Sequence, residues 1–164
     1  AFYGVGKGLE SLWRSVKGNK RSTVPKTRLE TGGRNLDGLS VDELLALDNE
    51  ADRLYEIIRN SSDDVARISR QTGIPEWKIQ KIKAHVFNND HILRDRVGMF
   101  DADIEIAAAW DRLANGYYNQ NDLDLLNHEY YEYRFEEFFD TDYGTAHNRT
   151  VETGRVWDPY KEVE

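Results

Sequence analysis

The 164-residue chain contains no cysteine. Without thiols it can form neither disulfides nor thiolate metal sites, so any metal would have to be bound by His, Asp or Glu side chains. Long apolar runs are also missing, since none approaches the ~20 residues that a membrane-spanning helix needs. Alternating β-branched runs bounded by turn residues hardly occur, so strand signals are scarce. These absences exclude a disulfide scaffold and a β-rich fold, and they predict a protein without a membrane-embedded part.

Positive charge is sparse in the C-terminal third of the chain. Residues 1–34 hold eight basic and two acidic residues, and residues 35–98 hold nine basic and twelve acidic residues. Residues 99–164 hold five basic and sixteen acidic residues. The net charge is −8, and the 32% charged and 39% hydrophobic residues are typical of a soluble globular domain. The acidic third would repel a nucleic acid unless a metal or local basic residues offset it, whereas it would attract a basic partner.

Helical periodicity dominates from residue 39 onward. Ser40 and Glu43 form a capping-box pattern, and apolar residues then recur at helical spacing as far as Ile58, which predicts a helix over about residues 41–58. A second helix is predicted to begin after Ser61 or Ser62. Four more predicted helices follow: Pro75 to about Phe87, Asp101 to Gly116, Asn121 or Asp122 to Phe139, and about 142–153. The sequence therefore predicts an all-α, single-domain bundle of about six or seven helices.

The N-terminal segment has a different character. Residues 17–37 are basic and rich in Gly, Ser and Thr, and they include Pro25 and the pair Gly32-Gly33, which indicates a loop or linker. We predict that residues 1–38 form an irregular leader or junction segment, with one short amphipathic stretch at 9–16, and that residues 39–164 form the helical domain. Because the first residue is Ala rather than Met, we expect the chain to be part of a longer polypeptide.

The motif HEYYE places two ionisable residues on an apolar helix face. At 100° per residue, Glu132 lies about 40° from His128, within the arc of Leu125, Phe135 and Phe139. Burying an ionisable group without a partner costs several kcal/mol, so the two must satisfy each other, bind a metal, or act as an acid/base pair with shifted pKa values. A structural pair that only fixes helix packing is the alternative.

A third candidate ligand follows on the last predicted helix. His147 shares a face with Tyr143 and Val151, and HExxE resembles the HExxH helix of zinc peptidases, so His128, Glu132 and His147 form a candidate site for a divalent metal. The glutamate at the second position departs from the usual order of ligands, which puts zinc in doubt. Of two further histidines, His85 lies near the C-terminal end of the predicted helix that starts at Pro75, and His91 lies just beyond that helix. The alternative role for His85 is to complement the dipole of the helix.

Residues 64–83 also fit a helix-turn-helix. Ser69, the turn glycine Gly73 and Ile79 have the spacing of such a motif, and the second helix would present Lys81 and Lys83 to a DNA groove. The acidic balance of the chain counts against DNA binding, and helical hairpins with these core positions are common without it.

Four stretches, at residues 59–93, 99–116, 122–132 and 145–155, resemble C-terminal domains of bacterial polymorphic toxins, of the contact-dependent growth inhibition and Rhs types. They are also similar to the tails of some phage head-morphogenesis proteins. The resemblance covers about residues 50–157. Its polar pattern falls on Lys83, His85, His91, Asp101, Trp110, His128, Glu129, Glu132 and His147.

The resemblance implies an antibacterial toxin domain. Such a domain would be joined to a larger delivery protein, would act in the cytoplasm of a neighbouring cell, and would be blocked by a cognate immunity protein. Many such toxins are nucleases, so we expect a hydrolase of nucleic acid. Its catalytic candidates are His128, Glu132, His147, Glu129 and His85, and its substrate-binding candidates are Lys83, His91, Arg149 and Trp110. The alternatives are a metallopeptidase-like toxin that uses HExxE with His147, and a non-enzymatic helix-turn-helix or phage structural module.

Overall fold

The computed structural model describes residues 38–158 and is predominantly helical, which confirms the all-α prediction. Its elements in chain order are α1 (Val41–Asn60), α2 (Asp64–Thr72), α3 (Glu76–Lys83), a π-helical segment (Ala84–Asn88), β1 (His91–Ile92), β2 (Val97–Gly98), α4 (Ile104–Asn115), α5 (Gln120–Phe139) and α6 (Tyr143–Glu152). Most of the predicted leader, residues 1–37, lies outside the described residues, and so does its amphipathic stretch. Within the described part, no helix is long and apolar enough to cross a bilayer.

Local signals set the ends of the first helices as predicted. The amide of Glu43 donates to Oγ of Ser40, and the Glu43 carboxylate accepts from the Ser40 amide at 2.8 Å, so the capping box of α1 is formed. Helix α2 ends at Gly73, which has the left-handed conformation that favours glycine (φ 76°). Pro75 directly precedes α3, where its missing N–H leaves no hydrogen bond unmade.

Two helices begin at other residues than predicted. Helix α4 is capped by Asp103, which accepts from the amide of Glu105 at 2.8 Å, while Asp101 instead accepts from Arg96. Helix α5 is capped by Asn119 rather than by Asn121 or Asp122. These regions are rich in Asp and Asn, and each of these residues is a good helix cap, so the surrounding tertiary contacts decide which one is used.

Helix α3 continues directly into the π-helical segment. The amide of Asn89 donates to the carbonyl of Ala84, five residues earlier, at 2.8 Å. In this wider turn three consecutive residues, His85, Val86 and Phe87, are all buried. Single π-helical turns occur frequently at functional sites. The segment is followed by an antiparallel hairpin in which His91 pairs with Gly98, and the rings of His85 and His91 lie 4.7 Å apart between centroids.

Helix α4 is central to the hydrophobic core. It packs against α1 and α2 on one side and against α5 on another, and its Trp110 lies edge-on to Phe87 with ring centroids 5.1 Å apart. Helix α5 in turn packs against α3 and α6. Its N-terminal half is buried through Leu125 and Leu126, whereas Phe139 near its end is 59% exposed. The prediction that Phe139 belongs to a buried stripe is therefore wrong, because the last residues of α5, from 137 onward, are exposed.

Candidate functional site

All four histidines of the chain converge in the interior with three glutamates of α5. We define this histidine–glutamate cluster as His85, His91, His128, His147, Glu129, Glu132 and Glu136. The π-helical segment supplies His85, β1 supplies His91 and α6 supplies His147, while α5 supplies the rest. On α5, residues 128, 132 and 136 follow one another at four-residue spacing, so they lie along one face of the helix.

Glu132 is the centre of the cluster. One of its oxygens, Oε1, is 2.8 Å from Nε2 of His128 and 2.5 Å from Nδ1 of His147. The other nitrogen of His128, Nδ1, is 2.6 Å from the carbonyl oxygen of Arg155. Because a carbonyl only accepts, Nδ1 carries the proton and Nε2 is turned toward Glu132. Metal-binding histidines are commonly oriented by such a second hydrogen bond.

The electrostatics of the cluster favour a His128 cation beside a Glu132 anion. Burial alone would lower the pKa of His128, but the hydrogen bond to Glu132 and the charges of Glu132 and Glu129 outweigh burial and raise this pKa to about 9. Burial would raise the pKa of Glu132, yet the hydrogen bonds from His128 and His147 hold it well below its usual range. For Glu129, burial and the Glu132 charge act in the same direction and raise the pKa to about 8.

His85 faces two carboxylates without forming a hydrogen bond to either. Its Nε2 is 3.6 Å from Oε2 of Glu129 and 3.7 Å from Oε2 of Glu132, which is beyond the usual range of an N–H···O hydrogen bond. His85 is 1% exposed, and this Nε2 has no hydrogen-bond partner in the described part of the chain.

His91 is held by both of its ring nitrogens. Nδ1 is 2.8 Å from Oε2 of Glu136, and Nε2 donates to the backbone carbonyl of His85 at 2.7 Å. Phe100 stacks on the imidazole with ring centroids 3.8 Å apart. His91 therefore fixes the backbone that carries His85. Substrate binding by His91 stays a prediction, and this supporting contact within the cluster is what the structure shows.

Three overlapping groups of these side chains are arranged so that they can hold a metal ion. They are His128, Glu132 and His147; His85, Glu129 and Glu132; and His85, His91 and Glu136. Within each group, one candidate ligand atom per residue lies within 4.8 Å of the others. The first group is the predicted ligand set, now seen to come together from α5 and α6. Nitrogen and carboxylate-oxygen ligands suit Zn²⁺, Mn²⁺ and Fe²⁺.

The cluster approaches the protein surface at two of its edges. The side chains of His147 and Glu136 are 17% and 16% exposed. Phe100, which covers His91, also lines a cleft of about 510 Å³. The other residues that line this cleft are Asp48, Asp52, Arg59, Met99, Asp101 and Ala102. Because three of them are aspartates, the cleft favours the approach of cations over that of phosphates.

Two predicted substrate-binding residues, Lys83 and Trp110, are buried in a separate network. Asp64, which is 1% exposed, accepts from Nζ of Lys83 and from Nε1 of Trp110, both at 2.9 Å. Lys83 also donates to the carbonyl of Ser61 at 2.9 Å. A buried lysine needs such partners. These side chains join α2, α3 and α4 to one another, and their burial argues against the substrate-binding roles predicted for both. Because it is buried, Lys83 does not lie on the exposed surface that would face DNA in the helix-turn-helix hypothesis.

Arg149 lies outside the cluster. It is on α6, two residues beyond His147, where it is 61% exposed and pairs with Glu152 at 2.8 Å. Glu136, in contrast, belongs to the cluster although it was not among the predicted site residues. Its sequence signal was the spacing alone, because it follows Glu132 at the same four-residue interval that separates Glu132 from His128. The contact of His128 with the backbone carbonyl of Arg155 could not be predicted from the sequence, since every residue has a backbone carbonyl.

A scan against protein-family models and searches of the curated proteins and of the solved structures found no match to this chain. The fold and the site together define an all-α bundle with a buried histidine–carboxylate centre.

Proposed function

We propose that this chain is a hydrolase of nucleic acid whose centre is formed by His128, Glu132 and His147. The observation that carries the proposal is the sharing of one buried Glu132 oxygen by imidazoles from two different helices. Such an arrangement places three ligand atoms of the types that divalent metals accept around one position. It also joins a histidine at the edge of the site to a carboxylate in the interior.

The three residues would have distinct roles. A divalent ion bound by them would supply Lewis-acid chemistry, the activation of water or of a phosphodiester oxygen. His128, oriented by the carbonyl of Arg155, fixes one side of the site, and Glu132 neutralises positive charge within it. His147 is the most exposed of the three, so it is the residue placed to exchange a proton with a substrate or a water molecule.

A surface suited to nucleic acid lies next to the cluster. We define this lysine–aromatic face as Trp77, Lys78, Lys81, Tyr130 and Tyr133. Lys78 Nζ lies 4.4 Å from the centroid of the Tyr130 ring and Lys81 Nζ lies 5.6 Å from that of Tyr133, while Trp77 is 60% exposed. Lysines among aromatic rings bind single-stranded nucleic acid through its phosphates and stacked bases. The ring of Tyr133 is 6.2 Å from that of His85, so the face adjoins the cluster.

The resemblance of residues 50–157 to toxin domains supports a biological setting for this hydrolase. In that setting, a bacterium delivers the domain as part of a larger protein, and the domain cleaves nucleic acid in the cytoplasm of a neighbouring cell. An immunity protein would protect the producer. The acidic C-terminal third of the chain would attract a basic immunity protein.

The test is induced expression in a bacterium, followed by assays of the purified domain on single-stranded RNA and DNA. We expect the parent chain to arrest growth and to cleave a nucleic acid, and we expect His147→Ala to abolish both while remaining folded by circular dichroism. Asn148→Ala, at an exposed position of the same helix, is the matched control. Cleavage that persists unchanged in both His128→Ala and His147→Ala would refute the proposed centre.

A metallopeptidase is the second candidate, because His128, Glu132 and His147 also bring together the ligand set that HExxE and a third residue of a peptidase would provide. The same purified chain incubated with denatured casein distinguishes the two. Proteolysis without nuclease activity would favour the peptidase and would leave the lysine–aromatic face without a role in substrate binding.

A further inference from the structure

A second group of ligand atoms lies beside the proposed centre and uses other side chains. Nε2 of His85, Oε2 of Glu129 and Oε2 of Glu132 face one another across gaps of 3.6 Å and 3.7 Å measured from the imidazole. The three residues come from the π-helical segment and from α5, and they are between 1% and 6% exposed. They form the most deeply buried of the three candidate metal-binding groups.

The spacing of these atoms is that of ligands around a common ion. Two ligands that each lie ~2.1 Å from a tetrahedral metal are about 3.4 Å apart. A hydrogen bond between nitrogen and oxygen would instead bring the atoms to within about 3.2 Å. The His85 gaps are too long for hydrogen bonds and close to the metal-ligand value. The contacts of Glu132 with His128 and His147, at 2.8 Å and 2.5 Å, have hydrogen-bond spacing instead, so these atoms would have to move apart for an ion to bind between them.

His85 provides an independent indication that something binds here. Its Nε2 is buried and without a hydrogen-bond partner in residues 38–158, and leaving such an atom unsatisfied costs roughly 1–3 kcal/mol. Native proteins rarely accept this cost without a bound water, ion or functional reason. The atom is aimed at two carboxylate oxygens that are themselves metal ligands by chemistry.

The two groups share Glu132 through different oxygens. Oε1 contacts His128 and His147, whereas Oε2 faces His85. A carboxylate that uses one oxygen for each of two ions bridges them, and paired ions in hydrolytic sites lie about 3.5–4 Å apart.

We propose that the cluster binds two divalent transition-metal ions, one at His128, Glu132 and His147 and the other at His85, Glu129 and Glu132, with Glu132 as the bridge. Only the role of the second ion in hydrolysis rests on the proposed function. Whether the second ion binds can be tested by metal content alone. Paired ions stabilise the attacking and the leaving oxygen of a phosphodiester together, so the second ion would make the site one suited to phosphodiester cleavage.

The test uses the full 164-residue chain, stripped with EDTA and dialysed to equilibrium against Zn²⁺ or Mn²⁺. We expect two ions per chain by elemental analysis and a spin-coupled Mn²⁺ pair by electron paramagnetic resonance. Glu129→Gln, an uncharged isostere, is expected to retain one ion and to lose the coupled signal. Glu137→Gln is the matched control, because Glu137 is an exposed carboxylate of the same helix, and it should retain both ions.

A second variant, His85→Gln, repeats the measurement from the π-helical segment in case Glu129→Gln does not fold. One ion per chain in the parent protein, or two ions that persist in both variants, would overturn the second position. One ion with nuclease activity would overturn this inference and leave the proposed function standing. Two ions without hydrolysis of any nucleic acid would do the reverse, and no bound ion would overturn the dinuclear site outright.

Discussion

Replacing Lys83 with methionine tests whether this lysine has a structural role or contacts a substrate. In the folded protein its ammonium group is 2.9 Å from a carboxylate oxygen of Asp64, and the two side chains are 6% and 1% exposed. Methionine keeps much of the aliphatic volume but removes the charge. Asp64 would then retain its hydrogen bonds from Trp110 and from the amide of Val65 but would lose the cation with which it pairs.

Removal of one partner from a buried ion pair typically costs about 3–5 kcal/mol. A domain of this size has a free energy of unfolding of about 5–15 kcal/mol, so Lys83→Met should remove a large part of it. Urea unfolding followed by circular dichroism measures the loss. Lys81→Met is the matched control on the same helix; because Lys81 is exposed, it should leave the free energy of unfolding nearly unchanged.

A double variant isolates the charge. Asp64→Asn combined with Lys83→Met removes both charges, but the single amide oxygen can accept from Trp110 or from the Val65 amide and not from both. The double variant should therefore recover only part of the stability lost in Lys83→Met. If Lys83→Met loses less than about 1 kcal/mol and weakens nucleic-acid binding instead, the structural account of Lys83 is refuted and the substrate contact predicted from the sequence is restored.

Further predictions concern pH and two glycines. In EDTA, the free energy of unfolding should fall as the pH rises from 6.5 to 9. Folding raises the pKa of His128 from 6.5 to about 9, so the stability that His128 contributes is fully present only below pH 6.5. The loss for His128 alone should be roughly 3 kcal/mol. The raised pKa of Glu129 adds a loss of the same sign between pH 4.5 and about 8; unfolding curves that do not shift across this range would contradict both. Gly116→Ala and Gly73→Ala should each destabilise by about 1–2 kcal/mol in thermal melts, because both glycines have positive φ. At Gly116 the new Cβ would lie 2.7 Å from Oε1 of Gln71, but this atom ends an exposed, flexible side chain that can move aside. A much larger loss at Gly116 than at Gly73 would show that Gln71 is held in place.

The helical architecture could be predicted from the sequence because its signals are local. The capping box at Ser40 and the glycine that ends α2 act within a single turn of helix, and both are formed in the structure. The helix starts near Asp101 and Asn121 were displaced by two residues, since neighbouring Asp and Asn side chains are equally good caps. The exposure of Phe139 was not predictable, because it depends on where the covering helices end.

The sequence by itself determined that the chain is a helical bundle and that His128 and Glu132 meet, because a four-residue interval on a helix brings two side chains together wherever the helix lies. Only the tertiary structure decided that Glu132 also receives His147 and faces His85, and that Lys83 is committed to Asp64, 19 positions earlier. These contacts join residues on separate elements. They depend on which helix faces pack together, and hydrophobic periodicity identifies the buried face of each helix but not its partner.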